Sequence, residues 1–156
     1  MNDTGVPIHA HLIRMRFVMG FALVIDLALG IASFILPTGR ISAVEPIFIT
    51  LFALFACLWL GGTAGRDAAH RLDIVKRAFA ATGDMQQLLA NHFRVYLVIL
   101  ARLLCIALAG IVSAGWGLGP RLSLPFFVLA GAMLLLTWPS HAKTRLLVNR
   151  AKAMRP

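Results

Sequence analysis

The sequence predicts an all-α integral membrane protein, a four-transmembrane-helix bundle with an amphipathic helical hairpin between its second and third helices. Three observations carry that expectation. Of 156 residues, 60% are hydrophobic and 13% charged, at a mean hydropathy of +0.84, whereas soluble domains carry about a quarter charged residues. Four apolar runs are separated by turn-forming residues. Lys and Arg gather at one side of those runs, so the formal charge of +9 reads as a topology signal before it reads as nucleic-acid binding. The whole chain, 1–156, is expected to form a single membrane domain.

The first span covers about 17–36 and is closed by Pro37, Thr38 and Gly39, which cannot continue a helix. Arg14 and Arg16 precede it as in a signal peptide, but Asp26 at its centre and the lack of a small-residue cleavage site mark a retained helix. The second span covers about 46–60, opening on Glu45 and Pro46 and ending before Gly61 and Gly62. The third covers about 95–114. The turn Gly115 to Pro120 then leads to the fourth, about 122–138, with Pro125 in its first turns. Gly115, Gly117 and Gly119 follow a membrane helix rather than a strand, so they form a tight turn and not a dinucleotide fingerprint.

The polar loop 62–94 lies between the second and third spans. Ala68, Leu72, Val75 and Phe79 recur at helical spacing while Arg71, Asp73, Lys76 and Arg77 fall elsewhere around the helix, an amphipathic pattern. Thr82 and Gly83 end that helix, and Asp84 with Gln87 resembles a capping box that starts the next one. The expected product is a helical hairpin.

Arg14, Arg16, five basic residues of the loop and five of the tail 140–156 lie on one side, against Arg40 and Arg121 on the other. Positive charge is held in the cytoplasm, so both termini and the hairpin are expected there, in the inner membrane of a bacterial cell. Trp59, Tyr96 and Trp138 fall near the inner boundary in this reading and Trp116 at the outer one. Cys57 and Cys105 lie within spans at different depths and read as small buried apolar residues rather than a disulfide.

Asp26 and Arg102 are the two charges deep in the expected spans. A charge at the bilayer centre costs roughly 2.5–3.5 kcal/mol on insertion scales, so each needs a partner. Counted at about 1.5 Å per residue from the inner boundary, Asp26 lies roughly 13 Å deep and Arg102 roughly 10 Å. Ala22, Gly30 and Ser33 share a small, polar helix-packing face with Asp26, and Cys105, Ala109 and Ser113 share one with Arg102. The expectation is an Asp26–Arg102 ion pair, within one chain or between two.

The five histidines all fall on the cytoplasmic side. None lies deep in a span as an axial haem ligand would, although His92 and His141 are placed to approach each other at the boundary as a candidate metal or haem site, which His9 with His11 could join. The tail alternates Lys143, Arg145, Arg150 and Lys152 with Leu146, Leu147, Val148 and Met154, as in a short helix on anionic lipid. The same charges also serve simply to enforce orientation. Redox cysteine pairs, Walker loops and zinc-protease helices do not occur. The expected function is therefore that of a non-enzymatic inner-membrane protein without a cofactor, a self-oligomer or an accessory subunit of a larger membrane complex, with anionic lipids as partners and no nucleic acid. A small oligomeric transporter or channel using Asp26 and Arg102 is the alternative, and a haem- or metal-dependent membrane enzyme a second one.

Overall fold

The computed structural model describes residues 5–36, 45–115 and 119–154. The expected turn at Pro37 to Gly39, Arg40, and Trp116 with Gly117 lie outside the described residues. Among the described residues every regular element is helical: α1 Gly5–Ser33, α2 Glu45–Thr82, α3 Met85–Ser113, α4 Gly119–Leu136 and α5 His141–Ala153. Three segments are long and apolar enough to cross a membrane, namely Ile8–Ser33, Met85–Ser113 and Gly119–Leu136. An integral membrane protein is the architecture these segments support.

The largest departure from the sequence expectation is α2. It continues through Gly61 and Gly62 for 38 residues, about 57 Å at 1.5 Å per residue and nearly twice the thickness of a hydrocarbon core. Two glycines weaken a helix interior by about 1 kcal/mol each, which does not end the helix here. At Gly61 the absence of a side chain lets α2 approach α4, since a Cβ there would stand 2.7 Å from the Met133 methyl. The apolar second span and the amphipathic segment are thus one helix.

α2 and α3 are joined at Gly83, whose φ of 72° suits glycine. The Gly83 N–H donates to the Phe79 carbonyl at 2.7 Å, closing α2. Asp84 then caps α3, its carboxylate accepting from the N–H groups of Gln86 and Gln87 at 2.8 and 3.1 Å. The exposed end of the pair carries an i,i+3 bridge, Lys76 to Asp73 at 2.7 Å, and the Lys76 ammonium holds the Asp73 carboxyl below its ordinary range.

α3 is central, packed on α1, α2 and α4. One apolar core joins Met15 and Met19 of α1, Cys57 of α2, Tyr96, Leu100, Leu103 and Ile106 of α3, and Phe126, Ala130 and Leu134 of α4. Tyr96 belongs to this core rather than to an interfacial belt. A second core holds Val75 and Phe79 of α2, Leu88 and Val95 of α3, and Val148 and Ala151 of α5. The tail helix therefore spends part of its apolar face on protein: Leu147 and Val148 are buried, and only Leu146 and Met154 are left exposed. Burying each of the two contributes about 1.5–3 kcal/mol. Its N-terminus is capped by Ser140, and Lys143 donates to the carbonyls of Leu136 and Trp138 at the end of α4, a cation at a helix C-terminus. Arg145, Arg150 and Lys152 face outward.

Candidate functional site

Two carboxylates, Asp26 and Asp67, and one guanidinium, Arg102, define the charged chemistry between the helices. Arg102 reaches Asp67 of α2, with Nη2 to Oδ2 at 2.6 Å, and Asp67 also faces Arg71 at 3.8 Å. Within one chain, then, the expected Asp26–Arg102 pair is corrected: Arg102 is engaged elsewhere. The physical reason is the length of α2. With the second span ended at Gly61, Asp67 belongs to a polar loop, but on an unbroken helix antiparallel to α3 it comes level with Arg102.

Asp26 lies on the other side of the bundle, between α1 and α4. It is 6% exposed, and its Oδ1 is buried with no hydrogen-bond partner among the described residues. Its neighbour is Gly131 of α4, where a Cβ would stand 3.0 Å from Oδ2. The run Ala130, Gly131, Ala132 is the sequence signal for this approach, a small-residue stretch in a span otherwise rich in Leu and Phe. Asp26 forms the polar floor of a cleft of about 470 Å³ walled by Leu27, Ile31, Phe34, Leu124 and Phe127. That volume falls within the range of small-molecule sites, which are mostly apolar with a few placed polar groups. Leu27, Ile31, Phe34 and Leu124 are exposed, so the cleft opens sideways onto the surface that lipid covers in a bilayer.

The expected packing faces divide. On α1, Ala22 and Ser33 are buried and Gly30 lies against the Phe127 ring, so the stripe containing Asp26 packs toward α4. On α3, Ser113 is buried and donates to the Ala109 carbonyl at 2.7 Å, whereas Cys105 is exposed. The close approach on α3 is made instead by Gly110, where a Cβ would meet Phe126 and Phe127 at 2.9 Å.

The histidines pair differently from expectation too. His92 meets His11, with Nδ1 and Nε2 3.0 Å apart, so one ring donates and the other accepts. His141 stacks on His9 at 5.9 Å. No group of three or more His, Cys, Asp or Glu side chains placed to hold a metal occurs among the described residues. The sequence offers His9 and His11 as companions to a metal site of His92 and His141, but not the pairing of each with one histidine, because the helical register that brings His11 to α3 begins before the apolar run.

No known protein family, curated protein or solved structure matches the chain.

A buried carboxyl without a donor has two ways to satisfy itself in an apolar surrounding. It binds a proton, or it binds a cation. The cleft leaves room for the second, and the rings of Phe34 and Phe127 add polarisable walls of the kind that favour organic cations.

Proposed function

We propose that the chain is a small membrane transporter subunit that binds hydrophobic organic cations at Asp26 in exchange for a proton. The observation that carries this reading is the unpartnered Asp26 carboxyl at the floor of an apolar cleft. In the proposed cycle the unliganded carboxyl carries a proton. When a cation enters, the O–H bond breaks, the proton goes to water, and the carboxylate is left facing the positive charge, so one proton is released for each cation bound. Arg102 would abolish this chemistry by holding the carboxylate charged, but it is engaged by Asp67.

In the proposed arrangement α2 supplies a fourth span, since Phe48, Leu51, Phe55 and Leu58 along its first half are all exposed, as lipid-facing residues are. Both termini, the α2–α3 hairpin and α5 lie in the cytoplasm of a bacterial cell, following the distribution of Lys and Arg. Four helices enclose little volume, so passage across the bilayer takes an assembly of copies.

Proteoliposomes test the reading. Tetraphenylphosphonium or a hydrophobic amine should exchange across the bilayer against an imposed pH gradient with the native chain. Asp26→Asn should abolish that flux and Asp26→Glu should retain part of it. Flux unchanged in a well-folded Asp26→Asn protein overturns the proposal.

The sideways opening of the cleft favours one second reading, a non-enzymatic accessory subunit in which a neighbouring chain places a cationic side chain on Asp26. It predicts a protein that copurifies in fixed ratio and is lost with Asp26→Asn.

A further inference from the structure

A second cleft, independent of Asp26, lies between the start of α3 and the first turns of α1. It encloses about 350 Å³ and is lined by His11 and Arg14 from α1 and by Gln86, Leu89, Phe93 and Arg94 from α3. Among the described residues no acidic side chain lines it. Neither Arg14 nor Arg94 has a hydrogen-bond or ion-pair partner among the described residues. Two guanidiniums facing one concavity repel each other unless an anion lies between them. The rest of its lining includes apolar side chains, with Leu89 buried and Phe93 half-buried.

The cleft is built rather than incidental. His11 is buried and its ring is held by His92 at 3.0 Å, with Phe93 edge-on at 6.3 Å. This fixes the α1 side of the cleft against α3. Arg94 directly precedes the apolar run from Val95, and Arg14 with Arg16 precedes the one from Phe17, so a lipid phosphate at this site requires the bilayer surface to lie at the start of those runs. Guanidinium is the group best matched to phosphate oxygens, which it meets with two parallel N–H donors, while Gln86 offers an amide to an esterified or hydroxylated headgroup. Apolar walls suit the first carbons of acyl chains.

We infer that this cleft is a phosphate-binding site for the headgroup of an anionic phospholipid. The basic helix α5 is a different surface, so the two are separable by mutation.

Native mass spectrometry of the full chain in mild detergent reads the outcome, with phosphatidylglycerol and phosphatidylcholine added in turn. The native chain should retain phosphatidylglycerol in preference to phosphatidylcholine. Arg14→Gln with Arg94→Gln should weaken that binding by roughly 30-fold, about tenfold for each kilocalorie and a half at roughly 1 kcal/mol per basic residue. The Arg14→Lys, Arg94→Lys chain should keep most of it. Arg145→Gln with Arg150→Gln in α5 should leave it unchanged. Displacement by millimolar inorganic phosphate assigns the same site to a soluble phosphate compound instead of a lipid. Equal binding of the two lipids by the native chain, with no binding of inorganic phosphate, overturns the inference. So does loss of preference through the α5 changes alone. Should the Gln variants fail to fold, the native chain's preference and its response to phosphate still decide.

Discussion

At Arg102 the energetics turn on a single contact. Its side chain is 35% exposed and that of Asp67 43%, so the pair is half shielded and a hydrogen bond between charged groups of about 1.5–3 kcal/mol is the upper range for it. Asp67→Asn and Arg102→Gln should therefore each lower thermal stability, and a double-mutant cycle should return a coupling of about 1–2 kcal/mol. The parallel cycle between Asp26 and Arg102 should return none. A coupling of equal size for that second pair would restore the intrachain pairing that the side-chain positions exclude. Asp26 stands out in the sequence as a charge on a small-residue face, and it is buried between α1 and α4. Its partner was not, because pairing depends on the register of α2, and register is a tertiary property. Gly61 and Gly62 look like a helix end by propensity, and only the approach of Gly61 to Met133 of α4 shows a use for the continued helix.

Among helices, close approach is carried by glycines that differ sharply in what surrounds them. Gly110→Ala would drive a methyl to 2.9 Å from the Cβ of Phe126 and the Cζ of Phe127, and overpacking of that kind costs about 1–3 kcal/mol. Gly20 has nothing within 4 Å, so Gly20→Ala should be neutral or should stabilise by up to about 1 kcal/mol. Unfolding of the two variants in detergent checks the contrast, and equal effects would remove the claim that α3 and α4 meet at Gly110. The tail gives a second element-scale prediction. Val148 and Ala151 are buried against the α2–α3 hairpin, so Val148→Asp should cost about 2 kcal/mol or more and make the hairpin around Gly83 more sensitive to protease. Unchanged proteolysis would leave α5 a lipid-lying helix after all. Helix positions were legible here from 3.6-residue periodicity and from the Asp84 cap, and their assignment to partners was not. An amphipathic basic helix has the same pattern whether its apolar face meets lipid or protein.

For the whole molecule, the helices account for one continuous fold with polar chemistry at three levels: the Asp26 cleft between α1 and α4, the Asp67–Arg102 bridge between α2 and α3, and the Arg14–Arg94 cleft at the start of α3. The proposed sidedness can be read with single cysteines at Thr82 and Met154, in a chain lacking Cys57 and Cys105. Both should be labelled by an impermeant reagent in inverted vesicles and protected in intact cells, and labelling from outside would reverse the topology. Composition makes membrane insertion plain, because so apolar a chain has too little polar surface to face water on all sides. Function is less legible, since one carboxyl supports ion pairing, proton exchange or subunit contact until its surroundings are known. Those surroundings favour exchange, which carries a definite stoichiometry and pH dependence: proton and cation compete for one group, so apparent cation affinity should rise with pH. The most direct measurement is proton release on adding tetraphenylphosphonium to the solubilised chain in weakly buffered solution. The account predicts one proton released per cation bound, with both binding and release lost in Asp26→Asn. Binding without proton release, or binding that survives Asp26→Asn, would contradict it.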